Sequence, residues 1–444
     1  DTLDCLQQVY EGLVAWSEDN KPVPLLAEKW DIEDNGTTYV FHVKKGVKYH
    51  NGQELKAEDF KYAWERNCNP ELKSQTAAAY MSDIVGVMDV VNGKAKEISG
   101  VTVVDDYTLK VKIDKPRAYF LGKMTYLVFA PMPKGSAPAT EIQDLKQVVG
   151  TGPFKMTRYE PQQIVVLTKN ADYHGGAPAI DGIERPVVKD ASARLSRYAS
   201  GEFDLCILQR SDIDAVMKNP AIKDHLKYFD RPSIFYIGLN MGDIYPPFKD
   251  KRVRKAFAMA IDRDTIVDKF MQGANTKALS IVPPGVIGHR EKGKVHPYDP
   301  EGARKLLAEA GYPGGKGLPQ LEIFYRQGYP DIRLVAEAVA SQLKENLGVT
   351  VLGRETEWRA YLERYNKGEN PFFHMRWAAD YLDPQNFLSH MLSSTGPENK
   401  VFYKNEEFDK LCAEADSIMD EAKRLELYAK AEDIVLDDAP WIPI

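Results

Sequence analysis

Three stretches of the chain predict a mixed α/β fold. Residues 38–43 alternate, with Tyr39, Phe41 and Val43 on one face, as a half-buried strand does. Residues 321–325, 331–347 and 349–352 read strand, helix, strand. The two strands of such a unit should run parallel with a right-handed crossover. Residues 406–437 repeat apolar side chains at i,i+3 and i,i+4, the pattern of two amphipathic helices.

The remaining elements follow in order. Residues 38–43 open a hairpin that runs through Gly46, Val47 and Tyr49 to the turn pair Asn51-Gly52. Phe60, Ala63 and Trp64 lie at helical spacing in a helix from about Glu58. Residues 105–113 form a strand through Leu109, Val111 and Ile113, and the Pro/Gly/Ser-rich stretch 130–139 is a loop and a candidate domain boundary. After Thr151-Gly152-Pro153 come a strand at 164–167, a long turn at 170–178, a helix at 191–200 stopped by Gly201, and a strand at 204–208. A strand around Phe235 precedes a helix with Val253, Ala256, Phe257, Ala260 and Ile261 on one side. Asp299-Pro300 starts a further helix, which Gly311 ends.

With 444 residues, 43% hydrophobic and 28% charged, the chain is globular in composition and long enough for about three domains. A net charge of −7 speaks against nucleic acid or an anionic membrane as the main partner. No apolar run approaches the ~18 residues of a spanning helix. The four cysteines are far apart with no CxxC pair and read as free thiols. No two of the eight histidines are spaced i,i+4, which disfavours a zinc hydrolase. GYPGGKG at 311–317 lacks the Ser or Thr of a phosphate loop and reads as a turn. Ser341 and Lys344 fit S-x-x-K by spacing alone, on an amphipathic helix without companion motifs. Nothing signals catalysis or a cofactor.

The densest candidate site is FHMRWAADYLDPQNFL at 373–388. Asp383-Pro384 reads as a helix start, which gives Asp383 a capping role. Asp380, near Trp377 and next to Tyr381, has no such role. Its carboxylate is either paired with Arg376 or open to a cation from outside.

Several segments together resemble one family. They are LAEKW at 26–30, YVFHVKKGVKYHNG at 39–52, AEDF at 57–60, VVDDYTL at 103–109, GTGPF at 150–154, NADY at 170–173, GEFD at 201–204, PFKDKRVR at 247–254, AIDR at 260–263 and NLGV at 346–349. In number and order they resemble the extracytoplasmic solute-binding proteins of ABC importers, the family of oligopeptide, dipeptide and nickel binders. The resemblance implies an α/β, two-lobed periplasmic-binding-protein type II fold with an extra domain. Residues 1–10 and 134–231 would form a discontinuous domain, 11–133 a domain inserted into it, and 232–444 the second lobe. It also implies that the family's fold continues past both ends of this sequence.

Ligand capture by hinge closure would follow, without enzymatic activity or cofactor. The ligand would be a peptide, or alternatively an oligosaccharide, metal chelate, haem or opine-like compound. The resemblance further implies a membrane permease as partner, no nucleic acid, a monomer, and an extracytoplasmic location, periplasmic or lipid-anchored after removal of a leader. A peptide hydrolase, the remaining alternative, would need a nucleophile–base pair or a metal.

The family's oligopeptide binders carry an Asp in a W-x-A-D-Y context that pairs with the ligand α-ammonium. That residue is Asp380 here, preceded by Trp377. Main chain from Arg376 to Ala378 would bind the ligand backbone as an added strand. Trp358 is expected on the pocket wall and Phe235 near the cleft. Two departures stand out: Arg376 replaces a small residue, and His374 replaces a cation that helps to bind carboxylates.

Overall fold

A computed structural model describes residues 2–74, 76–271 and 275–444. These form two compact units, Asp1–Lys189 with Ser417–Met419, and Asp190–Asp416 with Asp420–Ile444.

In the first unit, β1 (Val14–Trp16) pairs with β2 (Pro22–Pro24). An antiparallel sheet in the order β3-β4-β6-β5 joins Ala27–Glu33, Thr38–Val43, Thr108–Lys112 and Val101–Asp105. The partner of β4 is therefore β3, with Glu33 opposite Thr38, and not the segment at 47–49. The Asn51-Gly52 turn instead closes a small separate loop with a single bridge, Lys48 to Glu54. The sequence hid β3 because almost all of AEKWDIE faces solvent or lies half-exposed, so no alternation shows. The helix Ala57–Cys68 buries Phe60 and Trp64, and the Trp64 indole donates to the Phe129 carbonyl at 2.8 Å. A third sheet joins β7 (Phe154–Glu160), β8 (Ile164–Lys169) and β9 (Gly182–Pro186).

The second unit is built on one mixed sheet, in the order β12-β11-β13-β10-β14. Its strands are β10 (Ser233–Leu239), β11 (Leu321–Arg326), β12 (Val351–Thr356), β13 (Phe372–Ala378) and β14 (Trp441–Pro443). The parallel pair β11–β12 is the one expected, with the helix Pro330–Leu347 between them. Gly348, at a left-handed φ of 71°, ends that helix. Residues 204–208 form no strand: Leu205 and Ile207 are 82% and 69% exposed, and apolar alternation without a neighbouring strand leaves the backbone unpaired.

Alternation sorts side chains onto two faces of this sheet. Leu321, Ile323 and Phe372 pack with Phe257, Val339 and Leu343 on one side. Phe324, Phe373 and Met375 pack with Tyr361, Phe387 and Tyr428 on the other. Residues Phe372 to Met375 of β13 are thus buried on both faces. Close packing fixes Gly238 opposite Phe373, since a Cβ there would lie 2.4 Å from the ring. His374 is 4% exposed, and desolvation lowers its pKa to about 4.

Beyond β13, Asp383 caps a short turn, Pro384–Asn386, by accepting from the Gln385 amide at 3.0 Å. Its carboxylate also pairs with Arg424 of the helix Glu421–Asp438 at 2.8 and 2.9 Å, with both side chains buried. Removing one partner of such a pair leaves an uncompensated charge.

Arg424→Met is therefore expected to cost about 3–5 kcal/mol in denaturant unfolding. A loss under about 1 kcal/mol would show that the pair does not hold the turn. His374 gives a second expectation. Between pH 6.5 and about 4 the unfolded chain takes up a proton that the folded chain refuses. Stability should thus fall with pH across that window, by about 3 kcal/mol from this group. His374→Phe should flatten that part of the pH profile relative to the parent, and identical profiles would contradict the assignment.

Candidate functional site

The site begins where β13 leaves the core. β10 pairs with β13 along its whole length, from Leu239 opposite Phe372 to Ser233 opposite Ala378, and the Ala379 amide extends the ladder to the Pro232 carbonyl at 2.8 Å. β11 pairs with β13 only at Phe372 and Phe373. In an antiparallel ladder the hydrogen-bonded residues alternate. The Ala379–Pro232 bond fixes the phase, so the N–H and C=O groups of His374, Arg376 and Ala378 point away from β10. The His374 carbonyl accepts from the Tyr361 hydroxyl at 2.7 Å. No described residue pairs with the main chain of Arg376 or Ala378 on that edge.

The stretch after the strand is braced by one side chain. Asn386 is fully buried, and its Oδ1 accepts both the Trp377 indole N–H at 3.1 Å and the Asp380 amide at 3.0 Å. Two donors converging on one atom identify it as the oxygen of the amide. The Asn386 Nδ2 has no partner among the described residues. Trp377 also lies against His390, with ring centroids 5.7 Å apart. Asp380, half-buried, stands close enough to Glu398 to help raise that carboxyl above its usual range; burial of Glu398 is the larger cause. Lys400, whose Nζ lies 3.8 Å from the Glu398 carboxylate, acts the other way.

Cross-strand pairing puts Phe235 directly opposite Arg376, on the same face as His374 and Ala378, while Trp377 projects to the other face. The Phe235 and His374 rings lie 5.7 Å apart. His374 is buried and neutral at neutral pH, so it does not supply the cation that the resemblance places there. Trp358 opens the helix Trp358–Asn366, stacks on Tyr361 at 5.8 Å and touches none of the other expected residues through a ring or hydrogen bond.

Arg376 makes no hydrogen bond or ion pair with any described residue, so a closed Arg376–Asp380 pair is not the arrangement found. Desolvation lowers its pKa. Arg231 and Arg326 lower it further, and the Tyr329 hydroxyl acts the other way. The sequence reading did not single out Arg231, Arg326, Tyr361, Asn386 or Glu398, because the sheet order and the turn at 384–386 bring them in from distant segments. No group of three or more His, Cys, Asp or Glu able to hold a metal occurs among the described residues, and the four cysteines are free.

Comparison with known proteins adds to this geometry. The model of the bacterial extracellular solute-binding proteins, family 5 Middle, matches residues 21–399. Heme-binding protein A of Haemophilus influenzae is 30% identical, with 99% of this chain and 81% of that protein covered. The periplasmic oligopeptide-binding protein OppA of Salmonella typhimurium is also 30% identical, over the same shares of the two chains. Among solved structures, the Escherichia coli murein tripeptide binding protein MppA superposes with a TM-score of 0.87 at 27% identity, covering 100% of this chain and 87% of that one. The α/β binding-protein fold implied by the sequence is thus the fold observed, and the chain belongs to the family-5 bacterial extracellular solute-binding proteins.

Proposed function

We propose that this protein is the substrate-binding component of an ABC importer and captures peptides. The observation that carries the reading is the unpaired main-chain edge of β13 at Arg376 and Ala378, next to Asp380, whose backbone amide Asn386 holds. An extended peptide laid along that edge satisfies its own N–H and C=O groups by strand addition, whatever its side chains. Asp380, supported by Glu398, receives the ligand α-ammonium. Trp377 is held by Asn386 beside it, and Phe235 and Trp358 contribute wall surface. The protein then works outside the cytoplasm, periplasmic or held to the membrane by a lipid after removal of a leader, and hands its ligand to a membrane permease. The ligand closes the protein by contacting both of its lobes, which shifts the hinge equilibrium toward the form the permease recognises. The domain division 1–10 with 134–231, 11–133, and 232–444 belongs to the same proposal.

A second reading keeps the class and changes the ligand. Heme-binding protein A and OppA are equally identical to this chain, so identity alone does not select between a haem-like compound and a peptide. The unpaired edge favours the peptide, because a flat macrocycle has no row of amides to pair with it.

Native mass spectrometry of freshly purified protein should show a ladder of peptide masses; one constant non-peptide mass would favour the second reading. Asp380→Ala removes a charge-assisted hydrogen bond of about 1.5–3 kcal/mol, so calorimetry should show peptide affinity about tenfold to a hundredfold weaker. Unchanged affinity would remove Asp380 from the site. Asn386→Leu leaves the Trp377 indole and the Asp380 amide without their acceptor, so it should weaken the same peptides and cost about 1–3 kcal/mol of stability for each of the two donors. Methylating the ligand amide that faces Arg376 or Ala378 should also weaken binding, and tolerance at every backbone position would contradict strand addition.

A further inference from the structure

Residues 275–299 of the second unit form neither helix nor strand, yet residues 280–283 are buried. Loops of more than about 12–15 residues are uncommon in compact domains and are usually functional. This one is strapped to the helix Glu421–Asp438. Glu432, 1% exposed, accepts through one carboxylate oxygen from the Ser280 hydroxyl at 2.6 Å, the Ile281 amide at 2.7 Å and the Val282 amide at 3.0 Å. Its other oxygen accepts from the Arg290 Nε at 2.6 Å. Asp433 pairs with Arg290 and Lys294 at 2.7 and 2.5 Å, and the Asp437 carbonyl lies 3.1 Å from His296 Nε2. One helix thus holds the stretch from Ser280 to His296.

Between these anchors the strap lies against the turn that braces the candidate site. Ile281, Val282 and Val286 belong to the same apolar cluster as Phe387 and Leu388, which follow that turn. Gly288, at a left-handed φ of 82°, comes closer still. A Cβ there would stand 3.1 Å from Pro384 Cγ and 3.0 Å from Leu425 Cδ2. Gly288 therefore sits between the first residue of the turn Pro384–Asn386 and the residue next to Arg424. Glycine offers both that φ and that clearance. Asn386, two residues on from Pro384, holds the Asp380 amide and the Trp377 indole. Close-packed interiors transmit strain, so a shift of Pro384 reaches this brace.

We infer that residues 280–296 form a strap that sets the position of Asp380, with Gly288 as its contact and Glu432 as its anchor. Both are positioning residues, acting through the turn and not on the ligand. The inference rests on the peptide reading above and assigns to it a segment far from Asp380 in sequence. A binding group must be held within about 0.5 Å of its productive place, and that precision comes from the packing behind it.

Calorimetry and hydrogen exchange test the strap. The parent protein should bind Ala-Ala-Ala about tenfold to a hundredfold more tightly than propionyl-Ala-Ala, which lacks only the ammonium. In Gly288→Ala that preference should shrink about three- to tenfold, the range of one weakened hydrogen bond, with propionyl-Ala-Ala bound as before. Gly285→Ala is the control: its φ of 85° is equally left-handed, but a Cβ there would meet only Pro232, at an ordinary 3.7 Å. It carries the same backbone strain and should keep the preference. Without ligand, the amides of residues 378–387 should exchange about three- to tenfold faster in Gly288→Ala, while those of β11 and β12 keep the parent's rates. A preference retained in Gly288→Ala, or lost equally in Gly285→Ala, would overturn the strap's role and leave the peptide reading intact. If the parent binds neither compound, the peptide reading falls and exchange alone judges the strap: unchanged rates at 378–387 overturn it. Should Gly288→Ala fail to fold, Arg290→Gln, which loosens the strap at its anchor, takes its place under the same outcomes.

Discussion

β13 is bound on one side along its whole length and on the other for two residues only. β10 fixes its backbone from Phe372 to Ala378, while β11 departs after Phe373. An exposed strand edge is ordinarily covered, charged or twisted away, because it is a template for another strand. Here the Tyr361 hydroxyl occupies the His374 carbonyl, and the next groups on that edge, those of Arg376 and Ala378, face no described partner. The opening therefore has a defined beginning as well as a rigid backing. Burial loosens at the same place, since the strand is packed on both faces through Met375, Arg376 is exposed, and Trp377 and Ala378 are half-buried. Trp377 still packs on the core from the far face, so the open main-chain edge has a side chain anchoring it from behind.

Order beyond the strand is passed along a chain of contacts. The helix Glu421–Asp438 carries Arg424, Arg424 holds Asp383, Asp383 caps the turn Pro384–Asn386, and Asn386 holds both the Trp377 indole and the Asp380 amide. Each link is buried or half-buried, where an unmade hydrogen bond costs more than a made one gains. A backbone already fixed at Asp380 leaves less to be ordered when a ligand arrives, so more of the interaction appears as affinity. The N-capping role of Asp383 and the proposed ligand role of Asp380 are two ends of one construction, although only three residues separate them.

Much of this was legible from local pattern, and the rest was not for identifiable reasons. The parallel pair β11–β12 showed itself because each strand is apolar and a long amphipathic helix lies between them. The capping role of Asp383 showed because capping acts on the next few residues. β3 did not show, since a strand half-exposed along nearly its whole length carries no alternation. Residues 204–208 have the alternation of a strand without the neighbour that makes one. Asp380 and Trp377 stood out in the local sequence and took their roles from family resemblance; their brace, Asn386, did neither, because an asparagine's partners depend on three-dimensional convergence. His374 departs from the family in character as well as in identity: where the resemblance places a cation, this chain has a desolvated, neutral core residue. Arg231 and Arg326 lie 145 and 50 residues before Arg376 by their numbers, and only the strand order β11-β13-β10 makes them neighbours.

The same geometry bears on how one scaffold serves different ligands. A main-chain edge recognises an extended backbone and is indifferent to side chains. Relatives at equal identity carry the names of haem and oligopeptide binders, so the shared scaffold does not itself set the ligand. What distinguishes this chain must then reside in groups that depart from the family's pattern around the edge, and the clearest departure is Arg376. It does not neutralise Asp380; it joins two other guanidiniums. In the proposed reading, Asp380 past the end of the edge takes the ligand ammonium. A neutral scaffold reads only shape, whereas a fixed charge also reads direction: the same peptide laid in reverse would bring its carboxylate to Asp380. Polarity along the strand is the one property that backbone hydrogen bonds specify weakly and fixed charges specify strongly.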